Sequence, residues 1–230
     1  MSIETERDKL IDAALDHVAF EGMNHAAIEA GARDIGMDQG MIAVYLPRGG
    51  ADLAAAYHRR LDEELQQWLA QAKFEGKFRD RITQAIMHRL EITDRELARA
   101  GAAVLALPQH AGLGTKLVWE TADVIWSGLG DKSEDVNWYS KRATLMAVYG
   151  ATVLYWLGDD SADLAETRRF LDNRIDGVMR FESVKSTLRK VPGVSALTQL
   201  ATGWIRKPTT RDLPGHHRRP SSANLSGSNE

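Results

Sequence analysis

Between Ala143 and Leu157 the chain runs for fifteen residues without a charge. Its large side chains, among them Leu145, Met146, Tyr149, Leu154 and Trp156, fall all round a helical wheel. A helix that is apolar on every side has to be buried, either in a larger body or against an apolar ligand. The run is shorter than the roughly 18 to 20 residues of a membrane span, and Gly158-Asp159-Asp160 ends it. The segment therefore commits the chain to a helical core large enough to enclose it.

The rest of the sequence supplies such a body. No stretch alternates apolar and polar residues for long enough to predict a strand. Apolar residues recur instead at helical spacing, as at Leu10, Ile11, Ala14, Leu15 and Val18. Helices are predicted over 5–21, 25–35, 39–45, 51–72, 77–92, 94–106, 114–128, 136–157 and 161–182. Breaks fall at Gly22, Gly36, Pro47 to Gly50, Gly76, Pro108, Gly128 to Gly130 and Gly158 to Asp160. Asp38 reads as the N-cap of the third helix. The expected fold is all-α, a bundle of about nine helices followed by a C-terminal amphipathic helix. The expected division is a helix-turn-helix-like head over 1–72, a ligand-binding helical domain over 73–182, an amphipathic helix over 183–207 and a disordered tail over 208–230.

Composition excludes several functions. The chain has no cysteine, so disulfides, thiolate metal sites and thiol catalysis are ruled out. Neither Glu-x-x-His nor His-Glu-x-x-His occurs, and Gly112-Leu-Gly114 lacks the third glycine of a phosphate loop. No catalytic residue, metal or cofactor is expected, and the chain is not expected to be an enzyme. The start, Met1-Ser-Ile-Glu-Thr-Glu, is acidic and passes directly into a helical pattern, so neither a signal nor a transit peptide is expected.

The first 70 residues have the layout of the N-terminal domain of tetracycline-repressor-type regulators, which they resemble. Their chemistry is wrong for DNA. They carry 13 acids against 6 bases, and the would-be recognition helix, Gln39 to Tyr45, has no Lys or Arg for phosphates. No nucleic-acid partner is expected; the alternative reading is a regulator with a hydrophobic ligand pocket.

The other end is basic. Residues 180–219 hold 9 bases and 2 acids. Leu188, Val194, Leu197, Leu200, Trp204 and Ile205 form an apolar set flanked by Lys185, Arg189, Lys190, Arg206 and Lys207. An apolar face with a tryptophan and neighbouring cations is suited to lie in a membrane interface, so these residues are the expected membrane contact.

Two further sites are suggested by composition. Large apolar residues of the second half are interleaved with Ala102, Ala103, Ala106, Ala143, Ala147, Gly150 and Ala151, a pattern that can leave a slot between helices. Trp119, Trp126, Leu145, Tyr149 and Leu154 are the candidate pocket walls. Ahead of the apolar run, Asn137, Trp138, Tyr139 and Arg142 combine aromatics with arginine, the composition of a protein-binding hot spot. On that reading Trp138→Ala or Arg142→Glu would leave the fold intact.

Several of these residues also carry a resemblance. Leu107-Pro108-Gln-His110, Thr121-Ala-Asp-Val-Ile-Trp126, Asp135-Val-Asn-Trp-Tyr-Ser-Lys-Arg-Ala143 and Phe170-Leu-Asp-Asn-Arg174 are similar to motifs of the ubiquinone-biosynthesis accessory family known as coenzyme-Q protein nine. The resemblance covers about residues 5 to 182. It implies a repressor-like fold that does not regulate transcription, and an apolar pocket for lipid or an isoprenoid quinone intermediate. It further implies homodimerisation, contact with membrane lipid, and delivery of the ligand to a pathway hydroxylase through Asn137, Trp138, Tyr139 and Arg142. Without a transit peptide the expected location is a bacterial cytoplasm, peripheral on the inner face of the cytoplasmic membrane.

Overall fold

A computed structural model describes residues 3–132 and 136–189. Among these the chain forms helices α1 (Ile3–Glu21), α2 (His25–Asp34), α3 (Gln39–Tyr45), α4 (Gly50–Gln71), α5 (Phe78–Glu91), α6 (Arg95–Leu105), α7 (Ala111–Gly128), α8 (Val136–Trp156) and α9 (Ala165–Arg189), with a 3-10 turn at Ala162–Leu164. The described residues contain no strand.

Local chemistry sets the boundaries. The Asn24 side chain accepts from the Ala26 amide at 2.7 Å, and Asp38 from the Gly40 amide at 2.7 Å, so both cap orphan donors at helix starts. Gly36 follows α2 with φ +66°, a left-handed conformation that glycine adopts without penalty. Gly31 serves a different need. A Cβ there would lie 2.5 Å from the Ala14 amide nitrogen, so only glycine lets α2 press against α1.

Two apolar clusters result. Leu10, Ile11, Ile28, Ile42 and Leu53 fill the head, and Leu65, Ile86, Ile125, Tyr149 and Leu171 fill the body. α4 belongs to both: its first half packs in the head and its second half against α7. The boundary expected at residue 72 therefore separates α4 from part of its own core. The boundary expected at 182 falls inside α9, which runs on to Arg189 because no proline or capping residue stops it. Leu188 lies on its last turn; Val194, Leu197, Leu200, Trp204 and Ile205, and the tail from 208 to 230, lie outside the described residues.

Asp159 fixes the junction of α8 and α9. Its carboxylate accepts from the Ser161 amide at 2.9 Å and from the Thr167 amide and hydroxyl at 2.8 and 2.5 Å. These hydrogen bonds from Ser161 and Thr167 hold its pKa well below the usual carboxylate range. Among the described residues no helix is long and apolar enough to cross a membrane.

Candidate ligand site

A cavity of about 340 Å³ opens where α4, α5, α6, α7 and α8 converge. Its size lies at the lower end of small-ligand sites. Small residues make the room: Gly101 and Ala102 on α6, Gly114 on α7 and Gly150 on α8 face Leu61, Leu90, Leu117 and Val153. Leu154 also lines it while remaining 72% exposed, which places the mouth beside the end of α8. Most of the wall is apolar, so the cavity favours a hydrocarbon-rich occupant.

The inner end is polar. Arg89, 2% exposed, donates from Nε to Asp62 at 2.9 Å, from Nη1 to the Thr93 hydroxyl at 2.7 Å and from Nη2 to the His58 carbonyl at 3.2 Å. The Thr121 hydroxyl donates to Asp62 at 2.9 Å and lies 2.8 Å from His58 Nε2. The buried Tyr149 hydroxyl hydrogen-bonds Thr121 beside Arg89 and Asp62, and burial pushes its phenol above the usual range, so it stays protonated. Burial, reinforced by the Arg89 charge, pushes His58 down to about 3.

That shift has a consequence for stability. In the unfolded chain His58 takes a proton near its ordinary value of 6.5, whereas the folded chain refuses it until about 3. The unfolded state binds more protons in that window, so stability falls as pH drops below about 6.5, by about 1.4 kcal/mol per unit. Urea unfolding at pH 7, 6 and 5 is expected to show this slope in the natural chain and a shallower one in His58→Asn. Equal slopes would contradict a neutral buried imidazole.

The expected pocket walls divide. Tyr149 and Leu154 line this cavity. Trp126 and Leu145 line a second one, of about 240 Å³, between α5, α7, α8 and α9. Trp119 lines neither, and its ring instead lies 6.0 Å from Trp138. The polar end was missed in the sequence. Its only local signal was His58 and Asp62, one turn apart beside the apolar stripe of α4; Arg89 and Thr121 arrive from other helices.

The expected partner patch is corrected more sharply. Arg142 is 1% exposed and Trp138 8%, so neither presents a surface to a partner. The Arg142 guanidinium ion-pairs with Asp123 and, at 3.1 Å, with Asp131, and it lies 4.1 Å from the centre of the Trp138 ring. Lys141 joins Asp131 at 2.8 Å, and Trp126 Nε1 donates to the Lys141 carbonyl at 3.0 Å. This network clamps the end of α7 to the start of α8. Asn137 is exposed and Tyr139 half-buried, packed edge-on against Trp138 at 4.8 Å. Among the described residues no group of three or more acidic or His side chains could hold a metal ion.

Residues 111–182 match the COQ9 family model. The chain is 31% identical over 191 residues to the mitochondrial ubiquinone biosynthesis protein COQ9 of Drosophila melanogaster, covering 80% of this chain and 58% of that protein. It is 30% identical over 200 residues to the Rattus norvegicus protein of the same name, covering 81% of this chain and 64% of that one. It thus spans less than two thirds of the length of the curated relatives it matches. A TetR transcriptional regulator from Nitrosomonas europaea superposes with a TM-score of 0.56 at 20% identity, over 75% of this chain and 97% of that one, a likeness of fold. The location in a bacterial cytoplasm does not stand: the relatives are named mitochondrial.

Proposed function

We propose that the chain, similar over most of its length to COQ9 proteins, is an accessory protein of ubiquinone biosynthesis that binds an isoprenoid quinone precursor and presents it to a ring hydroxylase. The observation that carries the reading is the cavity itself, with apolar walls, a mouth beside exposed Leu154 and a polar inner end. A ring fits the inner end and an isoprenoid tail follows the wall out through the mouth.

The chain performs no chemistry of its own in this reading. Transfer of a prenyl tail from bilayer to cavity exchanges one apolar setting for another and gains little free energy. Presentation therefore depends on contact with the membrane and with the hydroxylase rather than on tight binding. The basic, apolar segment from Leu188 to Ile205 is the proposed membrane contact. Asn137 and Tyr139 are the proposed accessible part of the docking surface, set in place by the buried Trp138 and Arg142 beneath them. A homodimer completes the proposal. The regulator reading has only the fold in its favour, since α3 carries no cation for DNA phosphate.

Cells deprived of the chain are expected to accumulate a prenylated precursor that lacks a ring hydroxyl, measured by mass spectrometry of extracted lipids. Unchanged ubiquinone and no precursor would refute the reading.

A further inference from the structure

We propose that the rim of the α4–α8 cavity is a membrane contact in its own right, uncharged and separate from the basic segment at the end of α9: Leu107, Leu154 and Tyr155 enter the hydrocarbon of a bilayer. The purpose of the contact rests on the ligand reading above; what is added is the place where an apolar ligand crosses and the residues that meet the lipid there.

Two charge-free runs meet at the mouth. No Asp, Glu, Lys or Arg occurs between Arg99 and Lys116, nor between Arg142 and Asp159. The first run is the end of α6, the connection to α7 and the first turn of α7; the second is most of α8. Leu105, Ala106 and Gly114 of the one line the cavity together with Val153 and Leu154 of the other. Arg99 ties the runs at their edge by donating to the Leu157 carbonyl at 3.0 Å. Large apolar side chains of both runs point outward: Leu154 is 72% exposed, Leu107 44% and Tyr155 40%.

This arrangement fits lipid better than protein. Protein interfaces surround an apolar centre with a polar rim. Here the centre is an opening, its rim is apolar, and the guanidinium of Arg99 stands outside it, at the depth where a long cationic side chain reaches lipid head groups. A hydrocarbon tail leaving through a wetted mouth would expose its methylenes to water, and a bilayer seated on the rim removes that barrier.

The basic segment lies at the opposite pole. α9 returns antiparallel along α8: Tyr155 stacks on Phe170 at 4.4 Å, whereas Asn137, at the other end of α8, shares the second cavity with Val178. Leu154 is therefore about 25 Å along α8 from Asn137, and α9 runs about 16 Å beyond Val178 before it ends at Arg189. The two contacts are thus roughly 40 Å apart, comparable to the full thickness of a bilayer. Both touch one membrane only when α8 and α9 lie along its surface.

The absence of native cysteine allows a single label in the full chain. Leu107→Cys and, on the head, Val44→Cys (64% exposed) are each coupled to a nitrobenzoxadiazole dye and mixed with phosphatidylcholine vesicles, with binding followed by flotation. The label at 107 should shift to the blue and brighten at least twofold, in low salt and in about 0.5 M salt alike, because no charge is involved. The label at 44 should not change. Leu107→Asp should weaken flotation with these vesicles at least tenfold and keep the natural melting temperature. A label at 107 that stays in water while the chain floats overturns the rim contact and leaves the basic segment and the ligand reading standing. A blue shift that grows with protein concentration in the absence of vesicles makes the rim an interface between copies, which also overturns it. Loss of flotation of the natural chain in high salt does the same. The ligand reading fails separately, on purified natural chain that carries no prenylated precursor.

Discussion

An Arg142→Glu chain is expected to lose much of its stability, not merely its partner. Arg142 is 1% exposed and holds Asp123, Asp131 and the Trp138 carbonyl, the last at 3.2 Å. Glutamate would remove the cation and add a third carboxylate to the same pocket of charge, with Lys141 alone to offset them. Removing one partner of a buried pair costs about 3–5 kcal/mol, because the other is left charged and unsolvated. Against a total of roughly 5–15 kcal/mol, that is a large share. The melting temperature should fall by about 6–20 °C, since 1 kcal/mol is worth some 2–4 °C in a chain of this size. Circular dichroism melts of Arg142→Glu and of Asn137→Ala make the comparison. Asn137 is exposed, so its variant should melt with the natural chain. An Arg142→Glu midpoint within about 2 °C of the natural one would mean that the clamp contributes nothing.

Gly150→Phe is expected to have the opposite profile: an intact fold and an empty cavity. A Cβ at Gly150 would lie 3.8 Å from Val118 Cγ1, an ordinary contact, and the position faces the cavity. A glycine inside a helix costs about 1 kcal/mol relative to alanine, so the backbone gains from the change. The ring, however, takes space from a volume of about 340 Å³ that the ligand needs. Affinity for a prenylated quinone should fall more than tenfold, with the melting temperature held within a few degrees. Gly150→Ala, which adds one methyl, should bind nearly as well as the natural chain. Retention of ligand by Gly150→Phe would show that the precursor does not lie between α6, α7 and α8.

These two positions also show what the sequence could reveal. Helix boundaries were legible because their causes are local: Asp38 caps and Gly36 terminates within a few residues of the turn they control. The end of α9 was misplaced because nothing local marks it; the chain passes Gly177 without breaking. The patch at 137–142 was misread for a different reason. Tryptophan, tyrosine and arginine are the makings of a surface hot spot and equally of a buried cation-π clamp. The choice depends on Asp123 and Asp131, which only the fold brings to Arg142. The pocket was half legible. Small residues at helical spacing announced a slot, but α8 passes between two cavities. Leu145 and Tyr149, one turn apart, therefore line different ones.

What fills the α4–α8 cavity decides what the protein does. Purified natural chain and Gly150→Phe, extracted side by side and measured by lipid mass spectrometry, test it directly. The prediction is a prenylated ring precursor of ubiquinone in near-equal molar amount with the natural chain and absent from Gly150→Phe. Phospholipid alone in the natural chain, or the same precursor in both proteins, would contradict it.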